Sequence, residues 1–301
     1  MHRALLLLPL LASACDRDDD ETGGDTAAPS LEELFAFAVI ADPHIVSNPD
    51  NAARLQAAVA WVEDQAEARS IELVLVVGDI GWGPGLPSAK EMLDELSMPY
   101  LPIIGDNEVH AGSEEAYHTT FAPHFEVLST TLDGWSKAEV PVWNPQIEQQ
   151  SWLDNASFDH RGVHFVGLDW AVRGDDSGVG ETGDLHDFEG GTLPWLAADL
   201  DARTWQAREC IVLASHIPMQ LGMFDLAEVA ALDEVLLPLA DHVYADFAGH
   251  LHLNGEQTDT GHGFDVYLTD ATFDDVNTVR VVTVSGTGRE FAFAHDVVVV
   301  P

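Results

Sequence analysis

Five apolar runs in this chain each end on a carboxylate or an imidazole, and that pattern restricts the fold more than any other feature of the sequence. FAFAVIAD ends on Asp42, IELVLVVGD on Asp79, YLPIIGD on Asp106, ECIVLASH on His216 and HVYADFAGH on His250. Continuous apolar runs of this length, without strict alternation, read as strands buried on both faces. The first three are separated by stretches with helical spacing. Asp50 can cap a helix that puts Ala52, Leu55, Val59 and Val62 on one face, and a second helix is expected over 87–97. Strand, helix, strand in that order predicts βαβ units, in which functional loops gather at the carboxyl ends of the strands.

The rest of the chain continues the mixture. GVHFVGLDW reads as a strand, TLPWLAADLDART and residues 225–240 as helices. The β-rich end, with FDVYLTDATF, TVRVVTVSG and EFAFAHDVVVV, suggests a meander. Residues 111–160 show no clean period and are rich in Pro, Trp and His, so loops with short helices are expected there. No internal repeat is visible.

The strand ends carry the chemistry. Asp42 and His44 stand in ADPH, Asp79 in VVGD, Asp106 and Asn107 in IIGDNE, His216 in LASH, and His250 and His252 in AGHLH. A single Asp or Gly after a strand is usually a turn residue. Five such ends in succession point instead to metal ligation. Mixed carboxylate and imidazole donors suit Mn, Fe, Zn, Co or Ni better than the oxygen-preferring Mg or Ca. Seven donors exceed what one four-coordinate ion needs, so two neighbouring divalent ions sharing a carboxylate are the natural solution.

These fragments, D42-P43-H44, G78-D79, G105-D106-N107-E108, H216 and G249-H250-L251-H252, resemble the calcineurin-like metallophosphoesterase family, whose pattern is D-x-H, G-D, G-N-H-E or G-N-H-D, a lone H, and G-H-x-H. The resemblance covers roughly residues 36–253. It implies a four-layer α/β/β/α sandwich, two packed mixed sheets with helices outside. It also implies one ion held by Asp42, His44, Asp79 and His252, with Asp79 bridging to a second held by residue 106, His216 and His250. The activity implied is hydrolysis of phosphate esters, monoester or diester, through metal-activated water. A metal- or phosphate-binding lipoprotein of weak activity is the alternative.

The sequence departs from that pattern at GDNEVH, where Asp106 stands for the family's asparagine and Asn107 for its histidine. Direct alignment keeps a ligand at 106 and loses the acid that assists the leaving group; a one-residue shift would make Asn107 the ligand. His110 is either a substitute acid or a loop histidine without a role. Trp82 occupies the place of the metal-binding tyrosine of purple acid phosphatases, and an indole is no ligand. The remaining histidines, His118, His124, His160, His164, His186, His242, His262 and His295, are expected to be solvated or core residues. The acidic segment 173–187 matches no EF-hand spacing and reads as a solvated loop near the site mouth.

Flanking sequence suggests a location. MHRALLLLPLLASAC has a basic start, a short apolar run and small residues before Cys15. It resembles a lipoprotein signal peptide, with a lipobox that departs from the usual one in having Ala12 where leucine is expected. Residues 1–15 are therefore expected to be the signal segment, 16–34 an acidic disordered tether, and 35–301 the hydrolase domain, lipid-anchored through Cys15 to the membrane of a bacterial cell envelope outside the cytoplasm. Cys210, in an apolar run, is left as a buried thiol. With 52 acidic against 12 basic residues and a formal net charge of −40, the surface should repel nucleic acid, so no nucleic-acid partner is expected.

Overall fold

The computed structural model describes residues 31–46, 48–174, 182–206, 209–220, 222–258, 263–273, 276–287 and 290–301. The signal segment, most of the tether, His262 and residues 175–181 of the acidic loop lie outside the described residues.

The first half is built from β1 (Glu32–Ala41), α1 (Pro49–Arg69), β2 (Ile71–Val77), α2 (Gly85–Leu93), β3 (Tyr100–Ile103), α3 (Asp106–His110) and α4 (Glu114–Thr131). Short strands β4 (Asp133–Lys137), β5 (Val142–Asn144), β6 (Gln149–Ser151) and β7 (Ala156–His160) lead to β8 (Val163–Leu168). The second half adds α5 (Thr192–Asp201), β9 (Cys210–Ser215), α6 (Leu226–Leu236), β10 (Val243–Ala248), β11 (Gly255–Gln257), β12 (Asp265–Leu268), β13 (Thr278–Gly286) and β14 (Phe291–Val299).

Two mixed sheets result. One has the order β14-β13-β1-β2-β3, the other β11-β12-β10-β9-β8-β7-β4. β1, β2 and β3 run parallel, as do β8, β9, β10 and β12, so the carboxyl ends of each set share one edge. The sheets pack through aromatic side chains: Phe37 of β1 meets Phe165 of β8 edge-on at 5.3 Å and Phe247 of β10 at 5.2 Å. Alternation along β1 gives the opposite face to Ala36, Ala38 and Ile40. The buried side of α1, with Leu55, Val59 and Val62, belongs to the same core. A second apolar cluster joins Leu196 and Leu200 of α5 and Leu232 and Leu236 of α6 to Val166, Ile211 and Leu213 of the larger sheet. The α/β/β/α layering expected from the sequence is thus the observed fold.

Several local expectations are corrected. β1 begins at Glu32, inside the span assigned to the tether, because antiparallel pairing with β13 from Glu32↔Gly286 keeps the backbone extended ahead of the apolar run. α1 is capped by Asn48, whose side chain accepts the N–H of Asp50 at 3.0 Å, with Pro49 in the first turn. The second helix spans Gly85–Leu93 rather than 87–97. The region read as loops contains the 18-residue α4, which buries Tyr117, Phe121, Phe125 and Leu128 on one face despite Pro123 in its interior. The β-rich end is no meander: β12 lies parallel to β10 in the larger sheet, while β13 crosses to the smaller one and sits between β1 and β14. No helix among the described residues is long and apolar enough to cross a membrane.

Candidate metal centre

All seven predicted ligands converge where the carboxyl ends of the two sheets meet. β1 delivers Asp42 and His44, β2 delivers Asp79, the β3–α3 junction delivers Asp106, β9 delivers His216, and β10 delivers His250 and His252. Their donor atoms form three overlapping groups, each within 4.8 Å: Asp42, His44 and His252; Asp106, His216 and His250; and Asp42, Asp79 and His216.

The backbone there is shaped for close approach. Asp42, His44, Asp79, His250 and His252 adopt φ values of 47°, 49°, 50°, 66° and 48°, the left-handed region that L-residues seldom occupy. Such conformations cost roughly 1–3 kcal/mol each and persist where the surroundings over-determine them. Gly78, at φ 78°, precedes Asp79, and a Cβ at that position would collide with the ring of His216. A Cβ on Gly249 would likewise strike the Asp42 carboxylate. These glycines let the two sheet ends touch.

In the first group, His252 Nε2 is 3.3 Å from Asp42 Oδ1, and His44 Nε2 is 3.1 Å from Asp79 Oδ2 and 3.7 Å from Asp42 Oδ1. In the second, His216 Nε2 and His250 Nδ1 face the same Asp106 oxygen at 2.7 and 3.2 Å. Asp79 lies between them, its Oδ1 3.4 Å from His216 Nε2. The other ring nitrogen of His216 donates to the carbonyl of Val77 at 3.0 Å, which fixes the tautomer and aims Nε2 inward.

Asn107 donates its backbone N–H to Asp79 Oδ1 at 2.9 Å, and its side-chain amide also donates to Asp79. The cluster after Gly105 opens a helix rather than decorating a strand edge. Glu108, at its third position, is buried and accepts the N–H groups of Gly81 at 2.7 Å and Gly105 at 2.8 Å. Burial first, and then the charge of Asp79, push this carboxyl up to about 8. His110 ends α3 with Nε2 buried and without a hydrogen-bond partner, and it joins none of the three donor groups.

Burial works against the charges of Asp42, His44, Asp106 and His216, yet paired groups overcome it. Neighbouring imidazoles hold Asp42 and Asp106 well below the usual carboxylate range, and carboxylates raise His44 to about 9 and His216 well above its ordinary value. His44 Nε2 is nevertheless buried without a hydrogen bond of proper geometry, despite its nearness to Asp79. An unsatisfied imidazole nitrogen beside buried carboxylates, in a mixed N/O donor set, suits a borderline divalent cation.

The other described histidines have different partners. His164 bridges Asp159 and Asp199, both at 2.9 Å, and His118 meets Asp154 and His160 meets Glu72. His124, His186 and His242 bond backbone carbonyls, and His295 meets the Tyr244 hydroxyl. Parts of the acidic segment are not solvated: His186 is buried, and Arg173 is buried on Asp169 at 2.6 and 2.7 Å. Cys210 is buried, and Trp82 touches the edge of His44 at 5.4 Å. Sequence reasoning missed the Val77 carbonyl, since a backbone acceptor leaves no mark on residue type.

A family model described as calcineurin-like phosphoesterase matches residues 35–254. A manganese-dependent ADP-ribose/CDP-alcohol diphosphatase from Oryza sativa subsp. japonica is 28% identical over 302 residues, covering 80% of this chain and 84% of the relative. The crystal structure of a 5'-nucleotidase from Candida albicans SC5314 is similar with a TM-score of 0.52 at 14% identity, over 90% of this chain and 53% of that one. The chain therefore spans about half the length of that nucleotidase, and the likeness is one of fold. Purple acid phosphatase PPD1 from yellow lupin (Lupinus luteus) gives a TM-score of 0.47 at 13% identity, over 86% of this chain and 50% of that one.

Proposed function

This chain belongs to the calcineurin-like phosphoesterase family and is a metal-dependent phosphoric ester hydrolase, and we propose that it works through a two-ion centre on phosphomonoesters or phosphodiesters outside the cytoplasm. The carrying observation is the pair of donor groups, Asp42–His44–His252 and Asp106–His216–His250, brought together around Asp79.

In this reading Asp42, His44 and His252 would hold one ion and Asp106, His216 and His250 the other, with Asp79 placed to serve both. Divalent ions held there would supply Lewis-acid activation of water and neutralise charge on the phosphate oxygens. The protein's own groups set the rest. The side chains of Asp42, Asp79 and His216 are at most 2% exposed, whereas that of His252 is 33% exposed, so a phosphate reaches the cluster from the His252 side. Asp106, replacing a neutral ligand, adds negative charge that would tighten cation binding and damp the Lewis acidity of an ion held there. Asn107 steers Asp79 through its two donor groups and carries no transferable proton, so leaving-group protonation is weak unless His110 supplies it.

Diphosphate-bridged nucleotides such as ADP-ribose and CDP-alcohols, whose diphosphate link is a phosphoanhydride rather than an ester, join these esters as candidate substrates, because a relative aligned over most of both chains is named for them. The signal-like residues 1–15 with Cys15, followed by an acidic stretch that precedes β1, support a lipid-anchored hydrolase domain on the extracytoplasmic face of a bacterial membrane. The test is turnover by purified full chain, loaded with Mn and separately with Zn, of a panel of phosphomonoesters, diesters and diphosphate-bridged nucleotides. Hydrolysis of at least one class, abolished by chelation and restored by metal, is expected; no turnover of any class with either metal would contradict the proposal.

A further inference from the structure

The segment that follows β12 belongs to no motif, yet the fold ties it to both halves of the metal centre. Thr269 donates its N–H to the carbonyl of Ala248, two residues before His250, at 2.8 Å. The buried Arg280 secures the same turn from below, donating to Leu268 O at 2.5 Å and to Thr269 Oγ1 at 3.3 Å. Ala271 then bridges to Ala41, the residue before Asp42. Thr272, fully buried, donates both its N–H, at 2.9 Å, and its hydroxyl, at 2.8 Å, to the carbonyl of Ala41. One short stretch is thus stitched to β10 and to β1, in each case just before a candidate ligand.

Phe273 comes next, and its ring lies against two of those ligands. It stacks on His44 with centroids 4.1 Å apart and planes 28° apart, and it meets His252 edge-on at 4.9 Å and 89°. His44 and His252 are themselves 5.4 Å apart, and Trp82 closes on His44 from another side at 5.4 Å. An imidazole that binds a metal is normally aimed by a hydrogen bond from its other nitrogen. His216 has such a bond, to Val77. His44 Nε2 lies among the carboxylates of Asp42 and Asp79 without a hydrogen bond of proper geometry, and its ring is held between the aromatic side chains of Phe273 and Trp82.

We propose that Phe273 is a positioning residue of the metal centre, holding His44 and His252 as a pair and thereby setting the affinity of the ion they share with Asp42. The inference rests on the two-ion reading above. It makes an asymmetric prediction, because the ring contacts of Phe273 are with His44 and His252 while His216 and His250 pack on each other at 5.1 Å, so the second ion should not depend on it.

The experiment is Mn titration of the chelated, purified full chain by calorimetry, with electron paramagnetic resonance on the same samples, for wild type, Phe273→Ala and Phe273→Tyr. Wild type is expected to bind two ions and to show the spectrum of a coupled pair. Phe273→Ala should keep one ion at wild-type affinity and bind the other on the order of 10–100-fold more weakly, the usual loss when a ligand's supporting partner is removed. Its spectrum at one equivalent should be that of an isolated ion, and Phe273→Tyr should restore the pair. Undiminished binding of both ions by Phe273→Ala would overturn the inference alone. So would equal weakening of both sites with a fall in the melting temperature of the chelated protein, the mark of a merely structural role. Fewer than two ions on the wild type would overturn the two-ion centre, and this inference with it.

Discussion

Asp246→Asn should make the protein more stable above neutral pH while leaving it unchanged in acid. Asp246 is buried in β10, with no ionic partner among the described residues; Ser215 Oγ lies 3.0 and 3.1 Å from its two oxygens, and Met219 donates its N–H at 3.1 Å. Burial pushes its carboxyl from 3.8 up to about 7, against the pull of those hydrogen bonds. Ser215 Oγ is also 3.0 Å from the carbonyl of Ile217, so its hydroxyl can donate there and accept from a protonated Asp246. An asparagine reproduces that pattern, its amide donating to Ser215 and its oxygen accepting from Met219. The sign follows from linkage. Between about 4 and 7 the folded chain keeps this proton and the unfolded chain has released it, so the contribution to stability is full below the unfolded value and is lost as pH rises through the folded one. At 1.36 kcal/mol per pH unit the difference amounts to roughly 4 kcal/mol, an upper bound. Urea unfolding of both proteins in chelator, from pH 4 to 8, measures it. The two curves should coincide near pH 4 and separate through pH 7, with the variant the more stable. Parallel curves, or a wild type that gains on the variant as pH rises, would refute the reasoning.

Other consequences concern the centre and its tether. Because Asp42 and Asp79 raise His44 to about 9, and carboxylates raise His216 as well, metal uptake near pH 7 must displace protons, so the apparent affinity should climb as pH rises toward 9. Calorimetry in buffers of different ionisation enthalpy would expose this, and a pH-independent affinity without proton release would contradict it. Asn107→His should raise turnover of alkyl phosphate esters by ~10²-fold or more, the yield of a positioned acid, and change esters of acidic phenols little; equal gains on both would show that the residue does not govern proton delivery. His110→Ala should depress the same alkyl esters selectively if that imidazole has become the acid. Cys15→Ser should move the protein from the membrane to the soluble fraction of a cell lysate with its turnover intact, and unaltered fractionation would remove the lipid anchor from the account.

Much of the centre was legible because its ligands stand at strand ends, where an apolar run stops on Asp or His and a glycine permits close approach. Asp42, Asp79 and His216 could be named from that alone. Their mutual geometry could not, since it depends on left-handed backbone at five of the seven positions and on a contact between two sheets. The long helix α4 has a weak signal in the sequence because Pro123 and scattered polar residues interrupt its period, although Tyr117, Phe121 and Phe125 keep the spacing of one face. The crossing of β13 to pair with β1 is a long-range choice, Glu32 against Gly286, that local pattern does not encode. Phe273 was illegible for a similar reason: an aromatic residue after a strand reads as core until the fold lays it on His44.

The most direct test is the metal content of the purified full chain, measured by elemental analysis after loading with Mn and exhaustive removal of free ions, beside the Asp79→Ala variant prepared in the same way. Because Asp79 lies between the two donor groups, about two ions per wild-type chain are expected, and the loss of both in the variant. A wild type with one ion or none, or an Asp79→Ala chain that still holds two, would contradict it.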